Sequence, residues 1–558
     1  MSRPPLDLTG RRAPSNEELS LARQVIRRSG LVERLSCYLD SETGRPRRIP
    51  LEALLVCFQV NALQRHHQAH VIEVARLMNA MTDAQRESLG ITSWDEAQAY
   101  ARVDWLYNRL CTVLSAGIDG LDAQWFADCL VRASIPRRYE LTHSVAVDGT
   151  DVETWGAFQG STTVVLDGEA AETQSTAGTP ASVKATKRAK VVAVGPDGRN
   201  QYTPDPDARA GHRSANGQHP AGPYIGYELH LGVQVRDVRW TNYVDKTTLS
   251  DKVPHLIRSA VLVPAGTHRT KTMTPILIAA KARGEKLRDV LWDPGYSECR
   301  PETWSYPLGR AGISSTFSLT MAQRGIRPFS KRAFVLDGQL FSDLLPAELR
   351  DLPMPPVNLP DQAKAPAYEK HFNERARWRL VRHSAPDRNG VSRWRCPFCA
   401  GLLKSRSFPS TMRRGPGVKI AFLPPTVTTC CDGTVSAPPA DIPLSQLIPF
   451  GTTAWRISMN RRNAVESVNA ALNGGYLHLV RGFFRVFGLT KLRVLLGFSL
   501  VAVNFDRIRS FEAKKAELEN KDLPRRRRRR RPGSWQELLG DLDNRAVQLF
   551  AGAVGPPG

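Results

Sequence analysis

The sequence predicts an α/β fold with a helical N-terminal domain and an inserted, partly β subdomain. Three patterns carry that reading. Apolar residues recur at three- and four-residue intervals from about residue 15 to 135. Separated strand-like segments follow between 141 and 293, and a helical period returns from 453 to 515. With 558 residues, 41% of them hydrophobic, the chain has material for more than one core.

Residues 1–140 form the helical domain. Its strongest segments are LEALLVCFQV (Leu51 to Val60), VIEVARLMNAM (Val71 to Met81) and YARVDWLYNRLCTVL (Tyr100 to Leu114). His66, His67 and His70 have spacings that meet on a helix, and the polar face of a bundle is a simpler account of them than a metal site. Residues 141–310 open the α/β core. The run Val145-Ala146-Val147 precedes Asp148, and a polar stretch over 156–222 reads as a long, mobile insertion. Within it Asp205 and Asp207 read as turn formers beside prolines. GYELHLGVQV (Gly226 to Val235) and SAVLVPA (Ser259 to Ala265) are strand-like, Met273 to Arg283 is helical, and Val290-Leu291-Trp292 leads to Asp293. Residues 311–452, irregular and proline-rich, are the inserted subdomain. Residues 453–515 close the core with helices. Leu489 to Phe505 is its most apolar part, but Lys491, Arg493 and Asn504 interrupt it, so it reads as a buried helix and not a membrane span. Residues 516–558 read as a basic, disordered tail, within which SWQELLGDLDNRAVQLF has the pattern of one amphipathic helix.

The formal net charge is +23, and the run Arg525 to Arg531 accounts for less than a third of it. A basic excess spread through the folded part attracts polyanions, double-stranded DNA among them. The N-terminus lacks a signal-type apolar segment, and nine irregularly spaced cysteines do not form a disulfide framework. A cytoplasmic protein without a membrane partner is expected.

Asp148, Asp293 and Glu466 carry the chemistry. The two aspartates read as carboxylates at the ends of buried strands, each before a glycine-containing turn, and Glu466 lies in the helical stretch RRNAVESVNAAL. One such aspartate alone is more often a turn former. Two of them in one α/β unit, with a helical acid, make a set able to hold a pair of divalent ions, Asp148 bridging both. Asp151 and Glu153 are nearby competitors, but Asp151 falls on the opposite side of an extended strand. Arg462, Glu466, Asn469 and Asn473 share one helical face, and Val465, Val468 and Leu472 the opposing one. The plain reading of Arg462 is a salt bridge to Glu466; the functional one places it on a DNA phosphate. Cys396 and Cys399, with Cys430 and Cys431, are candidate ligands of a structural Zn²⁺, with His383 as a substitute, weighed against reduced thiols.

These segments resemble a bacterial insertion-sequence transposase of the DDE class. The matching pieces are GRPRRIPLEALL, VDGTDVE around Asp148, DPDARAGH from Asp205, GYELHL from Gly226, WDPGYS around Asp293, RRNAVESVNAALNGG around Glu466 and RVFGLTKLRVLLGFSLVAVNFDRI. Together they run from about residue 15 to 512, and their order is more specific than any one of them. The resemblance implies an RNase H-like catalytic core and two Mg²⁺ (or Mn²⁺) held by Asp148, Asp293 and Glu466. It also implies nicking at the ends of a mobile element, strand transfer by a 3′-OH, recognition of the terminal repeats by residues 1–140 as a DNA-binding domain, a homodimer pairing two DNA ends, and a place on the bacterial nucleoid. One branch of the family carries Tyr-x2-Arg-x3-Glu-x6-Lys; here Met459 and Asn473 stand at its Tyr and Lys positions. The alternatives are an RNase H-like nuclease that only hydrolyses, and a non-catalytic or domesticated DNA-binding protein.

Overall fold

The structure is a computed structural model. It describes residues 10–519 other than 40–46, 65–67, 140, 161, 167–186, 214–220, 240–246, 331, 352–360, 405–417, 420–433, 476 and 478. The fold is mixed α/β, organised on one six-stranded sheet. Five strands form its path: β1 (Ser144–Glu153), β2 (Gly222–Val235), β3 (Ile257–Pro264), β4 (Asp289–Trp292) and β5 (Ser314–Thr316), in the order β3-β2-β1-β4-β5. β1 is antiparallel to β2 and parallel to β4, and β5 is parallel to β4. A short strand, Arg209–Arg213, pairs with the start of β2.

Strand alternation sorts β1 between two cores. Val145 and Val147 pack with Trp292, Trp304 and Phe317 on one face, while Ala146 joins a helical core on the other. The same period carries Asp148 onto the helical face. That core is supplied by α1 (Leu51–Leu63), α2 (Val71–Ala80), α3 (Ala99–Ala116) and α4 (Ala123–Ala133), helices that contain the three periodic segments of the sequence. Leu229, Leu231 and Val233 of β2 belong to the same core, so the N-terminal helices pack directly on the sheet. The other face carries α5 (Arg269–Ala282). The closing helices are α6 (Asn463–Ala470) and α7 (Leu489–Glu519).

The polar residues that interrupt the apolar run of α7 serve the edge of the sheet. Arg493 donates to the Leu262 carbonyl at 3.0 and 2.8 Å. Asn504 accepts from the Ile257 N–H at 2.8 Å and donates to its carbonyl at 3.0 Å. These groups satisfy backbone on β3 that would otherwise lie open at an edge. No helix among the described residues is long and apolar enough to cross a membrane.

Several expectations are corrected. His70 is not on a polar helix face. It stands buried just before α2, its Nε2 2.9 Å from the Gly482 carbonyl, while His66 and His67 lie outside the described residues. Asp205 is no simple turn former: fully buried, it accepts from Tyr227 Oη at 2.7 Å, Thr154 Oγ1 at 2.7 Å and the Gly488 N–H at 3.0 Å. The described parts of 156–222 are not uniform loop, since Ala193–Val194 pairs with Asn200–Gln201 and Arg209–Arg213 joins the main sheet.

Residues 311–452 hold two three-stranded sheets and a third core with Trp378, Trp394 and Phe398. The proline-rich stretch there also contains a helix, Asp361–Ala376, despite Pro366 within it. Tertiary contacts outweigh the break: Phe372 is buried, Arg375 pairs with Asp337 at 2.5 Å and Arg456 with Glu369 at 3.0 Å. The arginine run and the expected tail helix lie outside the described residues.

Candidate functional site

Val147 pairs with Trp292 in the parallel β1–β4 ladder, so the next residues, Asp148 and Asp293, emerge together where that ladder ends. Asp148 does not end its own strand, contrary to expectation. β2 is long enough to keep pairing with β1 as far as Glu153, opposite Gly226. Gly149 therefore sits in a strand and not a turn. A Cβ there would lie 3.1 Å from His230 Nδ1, 3.2 Å from Glu228 Oε1 and 3.2 Å from Tyr296 Oη, so crowding by these side chains is what favours glycine. Asp293 does end β4. It caps the short helix Pro294–Ser297, its carboxylate accepting from the Gly295 N–H at 3.3 Å.

The Glu466 segment is a helix in pieces: Thr453–Met459, a 3₁₀ turn Asn460–Arg462, then α6. Val465, Val468 and Leu472 bury into the helical core as their spacing predicts. The polar face meets β1. Asn469 Nδ2 donates to Asp148 Oδ2 at 3.1 Å, and Asn473 Nδ2 to Thr150 Oγ1 at 3.0 Å. Arg462 joins the remaining acids, at 2.9 Å from Asp293 Oδ1 and 2.8 Å from Glu466 Oε1. The plain salt bridge foreseen for Arg462 is present, and a second, unforeseen one reaches Asp293 across the chain. Among the described residues no three His, Cys, Asp or Glu side chains are grouped so as to hold a metal ion. One guanidinium is the positive charge between the acids.

The electrostatics follow from that crowding. Burial, and then the Asp293 charge, push the Asp148 carboxyl up to about 6; Glu466 adds to the rise, while the Gly149 N–H and Arg462 oppose it. Burial drives His230 down to about 3, so its ring is neutral and Nδ1 is able to accept. Tyr296, whose pKa burial raises well above the usual phenol value, is hydrogen-bonded through its Oη to that nitrogen at 2.6 Å. His230 Nε2, Asn469 Oδ1 and Asn473 Oδ1 are buried without a hydrogen-bond partner. Asp151 and Glu153 both pair with Arg213, Asp151 at 3.3 Å, on the side of β1 away from Asp148.

Sequence reasoning missed Arg461, the residue that pins this segment down. Its guanidinium reaches Asp289 Oδ2 at 2.7 Å, Ser144 Oγ at 3.0 Å and the Arg236 carbonyl at 2.7 Å. Those partners lie at the starts of β4 and β1 and just past the end of β2. It also missed Tyr296 and His230. The one local signal was a glycine following an acid inside a strand-like run.

In the inserted subdomain, Cys396-Pro-Phe-Cys399 forms a tight turn in which the Cys399 N–H points at Cys396 Sγ, 3.4 Å away. Cys430 and Cys431 lie outside the described residues. His383 stands at the adjacent strand pair, its N–H bonded to the Arg393 carbonyl at 2.7 Å. No protein-family model, curated protein or solved structure matches the chain.

Proposed function

We propose that the chain is a DNA transposase of the DDE class, nicking the ends of a mobile element and joining a 3′-OH to target DNA. One observation carries the reading. Asp148 and Asp293 emerge side by side from adjacent parallel strands, and Arg462 ties Glu466 to Asp293 over them. Antiparallel strands, a helix, then a parallel strand beside the first is also the order expected of an RNase H-like core. The basic excess of the chain suits double-stranded DNA, and a homodimer would pair two ends.

The chemistry of the donors suits hard divalent cations: they are carboxylates, with a buried, unpartnered amide oxygen, Asn469 Oδ1, next to Asp148. With Arg462 between Asp293 and Glu466 the three acids are not grouped around an ion position, so they would have to close on the ion as Arg462 leaves. Mg²⁺ or Mn²⁺ held by Asp148, Asp293 and Glu466 would supply activation of the attacking oxygen and stabilisation of the leaving one. The residues of the chain do the remainder. Asn469 orients Asp148, Tyr296 and His230 wall the site beside Gly149, and Arg462, released from the acids, would hold a DNA phosphate. In the inserted subdomain, Cys396 and Cys399 would be two of the ligands of a structural Zn²⁺.

A non-catalytic DNA-binding protein is favoured by one fact, the neutralisation of Asp293 and Glu466 by Arg462. Nicking of plasmid carrying the DNA that flanks the coding region separates the readings. Asp148→Asn and Asp293→Asn should each remove Mg²⁺-dependent nicking while DNA binding persists, and a pre-cut 3′-OH end should be joined to target by wild type only. Nicking by both variants at the wild-type rate would overturn the proposal. Hydrolysis without joining would reduce it to a nuclease.

A further inference from the structure

Just past the end of β1 the chain holds two large aromatic side chains outside the core: Trp155 is 43% exposed and Phe158 is 69% exposed. Neither is loose. Phe158 stacks on Tyr202 with ring centres 6.1 Å apart and planes at 14°. The Arg485 guanidinium lies over the Trp155 ring, 4.8 Å from its centre. Arg481 donates to the Gly156 carbonyl between the two rings at 3.1 Å. The Gln159 N–H bonds to the Tyr202 carbonyl at 2.7 Å, and Gly156 is packed so closely on Thr203 that a Cβ would overlap it. Phe487, also exposed, lies two residues beyond Arg485.

We infer that this surface binds single-stranded DNA, with Trp155 and Phe158 stacking unpaired bases and Arg481 and Arg485 holding the adjoining phosphates. The inference rests on the proposed reading only in taking DNA as the ligand. A purely apolar patch would suit a protein partner or another copy of this chain. An exposed guanidinium over one ring, with a second on the backbone beside it, instead matches a partner with flat π faces and a negative backbone. Such a partner has unpaired bases, because bases within a duplex present only their edges. The surface also continues the strand that carries Asp148. Trp155 is seven residues on from Asp148, the first five steps within β1, so the two are at most about 23 Å apart. A strand leaving the candidate site along β1 would reach the rings.

The test measures affinity of the full-length protein for a labelled oligo-dT and for a blunt duplex of equal length. Comparing the two ligands cancels contributions common to both, such as the arginine run. Trp155→Ala and Phe158→Ala should each weaken oligo-dT binding about tenfold and leave duplex binding within about twofold. Arg485→Gln should weaken oligo-dT binding and flatten its salt dependence. Phe158 is exposed enough that its removal should not unfold the chain, and a thermal melt checks Trp155→Ala. Equal losses on both ligands, or no loss on either, would overturn the inference. So would a dimer that falls to monomer in the Phe158→Ala variant by sedimentation, which would make the patch an interface between copies. A Trp155-dependent preference for oligo-dT in a protein that never nicks would sustain this surface while the transposase reading fails.

Discussion

Arg461→Met is the most informative single change to the fold around the candidate site. Arg461 and Asp289 are 3% and 10% exposed and 2.7 Å apart. The arginine also holds Ser144 Oγ, the Arg236 carbonyl and the Ser458 carbonyl, the last at 3.0 Å. Methionine fills much of the volume but leaves the Asp289 carboxylate buried with one remaining side-chain donor, Thr316 Oγ1 at 3.1 Å. Removing one partner of a buried pair costs about 3–5 kcal/mol, most of it from the stranded charge. Replacing both partners removes that charge, so Arg461→Met with Asp289→Leu should cost less than Arg461→Met alone, about 1–2 kcal/mol. Chemical denaturation followed by tryptophan fluorescence and by circular dichroism reads both values. A loss below about 1 kcal/mol for Arg461→Met, or a double variant no better than the sum of the singles, would refute the assignment of Arg461 as the pin.

Two further outcomes follow from single residues. The Asp148 carboxyl is raised from 3.8 to about 6, so the folded protein binds its proton more tightly than the unfolded chain does. Stability should therefore fall as pH rises from about 4 to about 6, with the full penalty of about 3 kcal/mol present above that window. Asp148→Asn should melt higher than wild type at pH 8 and level with it at pH 4; parallel curves in calorimetry would contradict the cause given. Asp205→Ala should cost about 3–5 kcal/mol by stranding the Tyr227 hydroxyl, the Thr154 hydroxyl and the Gly488 N–H, while Asp205→Asn, which keeps an acceptor oxygen, should cost less. Equal denaturation midpoints for the two variants would count against that role.

What could be read from the sequence was what is encoded locally. The helices at Leu51–Leu63 and Ala99–Ala116 follow from their apolar period, and β1 and β4 from short apolar runs ending in an acid. The facing of Asp148 away from Asp151 follows from the two-residue repeat. Where β1 stops was not legible, because its length is set by β2, a partner some eighty residues on. Asp205 was misread for the same reason. A Pro-flanked aspartate announces a turn, and nothing near it announces donors that arrive from Thr154, Tyr227 and Gly488. In α7, Asn504 looked like a flaw in an apolar run until the open backbone of Ile257 supplied its purpose.

The pair Arg461-Arg462 shows why the candidate site itself was only half legible. In sequence these are two equivalent cations on a basic stretch. They sit on a 3₁₀ turn, where consecutive side chains point about 120° apart, so they must enter different surroundings. One direction leads beneath the sheet to Asp289, where the charge is buried and its geometry tightly held. The other leads to Asp293 and Glu466, which are 28% and 52% exposed, where a long side chain is held only by ion pairs that salt and solvent weaken. The buried arginine therefore sets where Arg462 starts, and Arg462, itself 21% exposed, reaches out to acids more open to solvent than it is. Fixed at residue 461, the segment brings Glu466 to the end of β4 where Arg462 bridges it to Asp293.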